Sequence, residues 1–447
     1  MKLKLNYIYG IFYKIISKIT INLIPVFTRF KMYNILSLIF ILNLRSIKQI
    51  APNDKVKYKV IVLPKTAGID DLLCIPKNKN ILFLECQRLF FKKIHYTILK
   101  TQEIDKLNQH QTKILENKYL DFLIHFLKNL KTKYGFNAFI GFNYNYPAEK
   151  KLHVACSKLN IPFLLLYKEG LQTEIERTYV NNILQKSNLK FNGYKMSVYS
   201  NILKKNLINI KYINKNKIEV VGCSRLTLSY KYRNITPDTQ ILYYAIQKDR
   251  GLPNQWVDQI GNKFFSNLKD HKNYNSKINW NILHLKTVKV LKNFAFINPS
   301  INIIIKVKTG FKKNSIEYSN LPKNIKVIWD NTGHKLLKKS KIVIGWNSTS
   351  ILEAIAANRF ILLPYFHVKN KKFKRSFELK LKLKNENYVY SEEDFYEKLN
   401  FFTKKKYLKN RINNNQFSLK YYLGNKDGKA HYRLYKFIKS NLKSKII

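Results

Sequence analysis

Short apolar runs alternate with helical segments along most of this chain, and this alternation constrains the fold more than any other feature. The runs are rich in β-branched and aromatic residues, whereas the segments between them repeat apolar residues at helical spacing. Strands that alternate with helices form a mostly parallel sheet with both faces covered. The predicted strands are Tyr58–Leu63, Ile81–Glu85, Asn137–Phe142, Ile161–Tyr167, Ile218–Gly222, Ile241–Gln247, Ile301–Lys308, Ile325–Trp329, Lys341–Gly345 and Phe360–Phe366.

The predicted strands fall into two series that join near residues 223–240. The chain has 447 residues, which suits two or three domains of roughly 150 residues each. We therefore predict an α/β fold with two Rossmann-like domains facing a cleft. The predicted divisions are a basic amphipathic segment at 1–50, a first domain at 51–230, a second domain at 231–390 and a helical tail at 391–447.

Between the strands, apolar spacing and Gly135 as a stop signal predict a helix over Leu115–Tyr134. Further helices are predicted at Ala148–Leu159 and Trp280–Phe296, while Pro64–Asp71 (PKTAGIDD) is predicted to be a loop. Ligands of open α/β sheets bind beyond the carboxyl ends of the strands. The polar residues that follow each strand are therefore the candidate site.

The net charge of +55, from 82 Lys and Arg against 27 Asp and Glu, has two interpretations. A basic surface attracts nucleic acid or an anionic membrane, but the abundance of Lys, Asn, Ile, Tyr and Phe also fits A/T-rich codon usage. The longest uncharged stretch near the N-terminus, Met32–Leu44, is shorter than the roughly 20 residues of a spanning helix. Residues 1–50 are therefore either a segment on a membrane surface or helices packed on the first domain.

The cysteines and histidines are scattered without a CxxC, HxxxH or HExxH pattern, which favours a reducing cytoplasm and no zinc site. A polar corner, Gly345–Ser350, follows one buried strand and precedes a predicted helix at Ile351–Ala357. One interpretation is a capping box between Ser350 and Glu353. The other is an anion cradle, because the free N–H groups and dipole of a helix N-terminus favour phosphate.

Four stretches in order resemble one family: VVGCSRL (Val220–Leu226), HKLLKKSKIVIG (His334–Gly345), NSTSILEA (Asn347–Ala354) and LGNKDGKAHYR (Leu423–Arg433). Together they are similar to GT-B glycosyltransferases, above all the bacterial group that assembles capsule and lipopolysaccharide. The chain departs from that pattern at Ser224, where proline is usual, and at Lys308-Thr309, where His-Pro is common.

The resemblance implies that the second domain binds a nucleotide sugar and the first binds the acceptor. Asn347, Ser348 and Thr349 would face the diphosphate, and Glu353 would accept hydrogen bonds from the ribose hydroxyls. Charge on the departing diphosphate needs cations or backbone donors, and the candidates beyond neighbouring strands are Arg250, Gly251, Lys306 and Lys308.

A sugar transfer also needs a carboxylate to deprotonate the acceptor hydroxyl. Glu169, which follows a strand, and Asp70 or Asp71, in the predicted loop after the first strand, are the candidates. No DxD pair is placed to hold a metal ion, so we expect no metal and no cofactor beyond the nucleotide-sugar co-substrate.

The predicted function is therefore transfer of a sugar from a nucleotide sugar to a cell-surface polysaccharide or lipopolysaccharide acceptor. The expected partners are a glycan or lipid-linked acceptor and an anionic membrane surface, at the inner face of the cytoplasmic membrane, and no specific nucleic acid. The alternatives are a polyol-phosphate transferase or sugar-nucleotide epimerase of the same architecture, or a basic nucleic-acid-binding protein. Nucleic-acid binding is disfavoured because the aromatics follow core spacing and no RNP or KH signature is present.

Overall fold

The structure is a computed structural model, and it contains two sheets surrounded by helices. It describes residues 17–47, 56–63, 66–77, 80–99, 109–143, 147–168, 170–171, 177, 181, 184–185, 190–246, 280–308, 318–330, 333–346, 348–366, 379–381, 383–407 and 416–443.

The first sheet has seven strands in the order β1-β3-β2-β4-β5-β6-β7. All neighbouring pairs are parallel except the short edge strand β1, which runs antiparallel to β3. The order reverses between β2 and β4, which is the switch point of the sheet. Its strands are β1 Arg45–Ser46, β2 Tyr58–Val62, β3 Ile81–Glu85, β4 Ala138–Gly141, β5 Phe163–Tyr167, β6 Lys195–Val198 and β7 Ile218–Val220.

The second sheet has six parallel strands in the order β10-β9-β8-β11-β12-β13. This is the doubly wound order of dinucleotide-binding domains, and its switch point lies between β8 and β11. The central strands are buried throughout because helices cover both faces. The strands are β8 Gln240–Tyr244, β9 Ile303–Lys306, β10 Ile325–Ile328, β11 Ser340–Ile344, β12 Phe360–Pro364 and β13 Tyr388–Val389.

Helices cover both sheets, and we number them from the helix at residues 17–29, α1. Those of the first domain are α2 Tyr33–Leu42, α3 Thr66–Leu73, α4 Arg88–Leu99, α5 Gln109–Tyr134, α6 Pro147–Lys150, α7 Leu152–Lys158, α8 Asn201–Asn209 and α9 Leu226–Tyr232. Those that follow are α10 Trp280–Ile297, α11 Gly333–Leu336, α12 Thr349–Ala356, α13 Glu392–Lys404, α14 Gln416–Leu423 and α15 Ala430–Lys443.

The last helix, α15, returns to the first domain. Its apolar residues, among them Leu434, Phe437 and Ile438, share a buried cluster with Val60 and Phe83 of the first sheet. The opposite face of that sheet is covered by α2, α4 and α5, and α1 joins the same core through Ile21 and Ile24. No helix among the described residues is long and apolar enough to cross a membrane.

This arrangement confirms the predicted fold class: two Rossmann-like domains facing a cleft, a GT-B-like architecture with helices before and after them. Two local predictions are wrong. Residues Thr66–Leu73 form a helix instead of a loop, because Gly68 lets α3 lie against the ring of Phe142; a Cβ there would be 2.2 Å from Phe142 Cδ1. The single helix predicted at Ala148–Leu159 is two short helices, α6 and α7, separated at Lys151.

Candidate active site

The polar corners at the two switch points meet through one arginine. Helix α3, which carries Asp71, follows β2, and helix α12, which carries Glu353, follows β11. Arg225, just beyond β7, contacts both: its Nη1 lies 3.3 Å from Asp71 Oδ2, and its Nε lies 3.3 Å from Glu353 Oε1. The carboxyl edges of the two sheets therefore face each other across a shared cluster of charges.

The Asp71 carboxylate is buried and occupied by several donors. Its Oδ1 accepts the Arg225 backbone N–H at 2.8 Å and faces the Cys223 thiol at 3.8 Å, while its Oδ2 accepts the Tyr199 hydroxyl. Burial, followed by the nearby Asp71 charge, holds the pKa of Tyr199 well above its usual value, so this phenol stays a donor. With its oxygens bonded in this way, the Asp71 carboxylate holds Arg225 in place.

The turn that carries Arg225 is fixed by the segment Leu423–Arg433. The Cys223 N–H donates to the Leu423 carbonyl at 2.8 Å, and Asn425 Nδ2 donates to the Cys223 carbonyl at 3.1 Å. Gly424 has φ of +58°, and a Cβ there would lie 1.7 Å from the Tyr199 carbonyl oxygen, so only glycine fits. The two stretches that resemble the family turn and closing motif are therefore in direct contact.

Glu353 does not cap its helix, so of the two interpretations of this corner the capping box between Ser350 and Glu353 is wrong. Helix α12 begins two residues earlier than predicted, and its cap is Ser348, whose Oγ accepts the Ser350 N–H at 3.2 Å. Glu353 then falls inside the helix and is buried beside Arg225. Burial raises the pKa of Glu353 above its ordinary value, and the Arg225 charge opposes that shift.

The donor-side candidates lie at the carboxyl edge of the second sheet where the structure describes them. Ser348 and Thr349 are half-buried at the N-terminus of α12. Lys306 ends β9, where its Nζ donates to the Val307 carbonyl at 2.5 Å and burial lowers its pKa, while Lys308 is exposed. Asn347, Arg250 and Gly251, and on the acceptor side Glu169, lie outside the described residues.

Asp70 is half-buried and precedes Asp71 on helix α3. Burial raises the pKa of Asp70, whereas the charges of Arg225, His334 and Lys168 lower it. His334 lies on α11, which Tyr244 anchors by donating its hydroxyl to the Gly333 carbonyl at 2.8 Å. His334 and Arg225 both lie in stretches that resemble the family, but neither was predicted to be in the site.

Among the described ranges, no three His, Cys, Asp or Glu side chains converge to hold a metal ion. The expectation of a metal-free site stays a prediction. The fold and this cluster together define a two-domain α/β protein with a cluster of charged residues between the carboxyl edges of two parallel sheets.

No family model matches the chain, and no curated protein matches it. Among solved structures, the wall teichoic acid polymerase TagF matches at 10% identity and a TM-score of 0.47, over 98% of this chain and 99% of that one. The UDP-GlcNAc 2-epimerase from Neisseria meningitidis matches at 13% identity and a TM-score of 0.44, over 86% of this chain and 100% of that one. The glycotransferase of kitacinnamycin matches at 6% identity and a TM-score of 0.45, over 87% of this chain and 99% of that one. The fold assignment rests on the sheet order described above.

Proposed function

We propose that this protein is a glycosyltransferase that moves a sugar from a nucleotide-sugar donor to a cell-surface polysaccharide or lipopolysaccharide acceptor. The observation that carries the proposal is the meeting of the two switch points, where ligands of open α/β sheets bind. Arg225 links Asp71 at one switch point to Glu353 at the other. A transfer between two substrates needs two such half-sites that open on the same cleft.

In this proposal the donor diphosphate binds at the N-terminus of α12. The Ser348 oxygen accepts the Ser350 N–H, which leaves the hydroxyl proton to donate to a phosphate oxygen, and Thr349 adds a second hydroxyl. The helix dipole contributes only about 0.3–1 kcal/mol to anion binding. We therefore assign the remaining charge stabilisation to Lys306 and to the predicted Asn347, Arg250, Gly251 and Lys308.

The Glu353 carboxylate would bind the donor ribose in this proposal. A carboxylate has about four acceptor positions, and the bond from Arg225 Nε occupies one position on Oε1. The ribose diol would then use positions that the arginine does not, so Arg225 would orient Glu353 toward the sugar while neutralising it.

On the acceptor side we place the general base at Asp70 rather than Asp71, with Glu169 as the other candidate. The donors on Asp71 hold its oxygens in place, whereas burial shifts the pKa of Asp70 toward the working range of a base. In the reaction, the acceptor oxygen bonds to the anomeric carbon, the bond from that carbon to the diphosphate breaks, and Asp70 takes the hydroxyl proton.

The donor site can be tested by Ser348→Asp. Aspartate keeps the helix cap, so the melting temperature should stay within a few degrees, but its charge repels phosphate. Calorimetry should show nucleoside diphosphate affinity lowered by on the order of tenfold or more, with nucleoside affinity much less changed. The matched control is Ser391→Asp, which changes a serine cap of α13, where Ser391 Oγ accepts the Asp394 N–H at 3.0 Å. Equal losses in both variants, or no loss in Ser348→Asp, would contradict the donor site.

The reaction class can be tested with a panel of nucleotide sugars and radiolabelled sugar. Transfer to a glycan or lipid-linked acceptor that is lost in Asp70→Asn, while donor binding persists, is the expected result. Isomerisation of the nucleotide sugar without an acceptor would instead identify an epimerase. Tight, salt-sensitive RNA binding without any preference for nucleotide sugars would replace the transferase by a nucleic-acid-binding protein.

A further inference from the structure

Helices α1 and α2 form an antiparallel hairpin with an apolar outer side. Asn43 Nδ2, just after α2, donates to Thr20 Oγ1 of α1 at 3.1 Å, so the end of α2 lies beside this part of α1. The inner side of α1 is buried in the first-domain core through Ile21 and Ile24. The outer side carries large apolar residues that are 40–73% exposed: Ile19, Leu23, Val26, Phe30, Met32, Leu38 and Leu42, which we call the apolar face.

The spacing of these residues places the exposed apolar side chains of α1 in one row. Ile19, Leu23, Val26 and Phe30 recur at intervals of four, three and four residues, which places them on one stripe of a helix. Leu38 and Leu42 are one turn apart on α2. Scattered exposed apolar residues are normal on a protein surface, but a continuous row marks a contact surface.

The charged residues that α1, α2 and the turn between them carry are all basic. Residues 1–50 contain eight Lys and Arg and no Asp or Glu. Lys18, Arg29 and Lys31 are exposed among the apolar residues of α1 and the turn that follows it. A surface that covers this face must therefore supply hydrocarbon and negative charge together.

We infer that the apolar face docks the protein on an anionic lipid bilayer, with α1 and α2 lying in the plane of the interface. A bilayer supplies hydrocarbon beneath acidic headgroups, which is the complement of apolar residues set among Lys and Arg. A second copy of the chain is disfavoured, because a two-fold interface would bring Lys18, Arg29 and Lys31 against a second set of the same charges.

The hairpin also has a defined orientation relative to the cleft. Gln87, which lies just beyond β3, donates through Nε2 to Oγ of Ser17, the first described residue of α1. This part of α1 therefore lies at the carboxyl edge of the first sheet, the edge that carries Asp70. A docked molecule would hold that edge close to the headgroups, within reach of a lipid-linked acceptor; this consequence rests on the proposed function, whereas the docking does not.

Flotation of the full chain with two kinds of vesicle tests the docking. One kind is phosphatidylcholine alone, and the other is phosphatidylcholine mixed with phosphatidylglycerol. The wild type should float with the mixed vesicles and stay behind with the neutral ones. Val26→Ser/Phe30→Ser and Lys18→Gln/Arg29→Gln/Lys31→Gln should each lower the bound fraction on the order of tenfold. The matched control is Phe296→Ser/Ile297→Ser, which removes two exposed apolar residues of α10 in the other domain and should leave flotation unchanged.

Several results would overturn this inference: no flotation of the wild type, equal binding to neutral vesicles, or an equal loss in the Phe296→Ser/Ile297→Ser control. A wild-type dimer that Val26→Ser/Phe30→Ser converts to a monomer would assign the face to a second copy instead. Nucleoside diphosphate affinity, measured on the same variants, separates the two proposals. Lost flotation with unchanged affinity supports docking through this face, whereas a wild type that binds diphosphate but never floats refutes docking and leaves the transferase proposal standing.

Discussion

Replacing Arg225 with methionine should destabilise the protein more than any ordinary surface change. The substitution keeps most of the side-chain volume but leaves the Asp71 and Glu353 carboxylates without their shared cation. Removing one partner from a buried ion pair costs about 3–5 kcal/mol, because an uncompensated charge stays buried. For a domain of about 150–250 residues, each kcal/mol lowers the melting temperature by roughly 2–4 °C. We therefore expect a loss of roughly 6–20 °C by calorimetry.

A second substitution, Glu353→Gln, should change stability in opposite directions in the wild type and in Arg225→Met. Glu353→Gln alone removes a charged hydrogen bond, worth about 1.5–3 kcal/mol, so it should destabilise the wild type. In the Arg225→Met background the same change removes a stranded charge, so it should stabilise the protein. The deficit of Arg225→Met should also shrink in acid. Burial raises the pKa of Glu353, so the folded protein binds a proton at Glu353 more tightly than the unfolded chain does. The stability of the folded protein therefore falls as pH rises from the unfolded pKa of this carboxyl through its folded pKa.

The matched control is Lys289→Met, which breaks the pair between Lys289 of α10 and Glu392 of α13, with an N–O separation of 3.2 Å at an exposed lysine. An exposed pair is worth about 0.2–1 kcal/mol, so the control should barely move the melting temperature. Two results would refute the assignment of Arg225 as a buried bridge: an Arg225→Met variant as stable as the control, or additive losses when Glu353→Gln is added.

Further predictions concern the segment that fixes the turn. Gly424→Ala should lower the melting temperature far more than Gly135→Ala, because both have positive φ but only Gly424 would place its Cβ against the Tyr199 carbonyl; the conformational cost alone is about 1–2 kcal/mol. Similar losses would show that the contact is not tight. Burial lowers the pKa of His431, whose Nδ1 lies 3.0 Å from Thr227 Oγ1, so the unfolded state binds more protons and stability should fall as pH drops below about 6.5. Denaturation across that range should show the slope, and His431→Gln should remove part of it.

The sheets could be predicted from the sequence because parallel strands buried on both faces must be apolar throughout. FLLLY at β5 and FILLP at β12 are buried at every position. The corner at Ser348 could be located for a related reason: polar residues between a buried strand and a helix lie at the carboxyl edge. The structure corrects the start of the helix there, which lies two residues earlier than predicted because Ser348 is the cap.

The bridge itself could not be predicted, because nothing local specifies it. Arg225 and Glu353 are separated by 128 positions, and Arg225 and Asp71 by 154. Helix α3 was missed for a similar reason. Its glycine argues against a helix by propensity, and only the Phe142 ring, brought close by β4, explains why glycine is needed there. Sequence patterns indicate which edge of a sheet is polar, whereas the pairing of its side chains depends on how the domains meet.

The buried charges around Arg225 can also fix the relative positions of the two domains. A buried ion network is often no more stable than an apolar core of the same volume, but it restricts how its members can be arranged. Asp70 adjoins Asp71, and Ser348 and Thr349 lie within about one turn and a half of Glu353. By bonding to Asp71 and Glu353 at once, Arg225 fixes the separation of α3 and α12. It thereby sets the distance between the proposed base and the proposed diphosphate site, which a direct transfer requires to be short and constant.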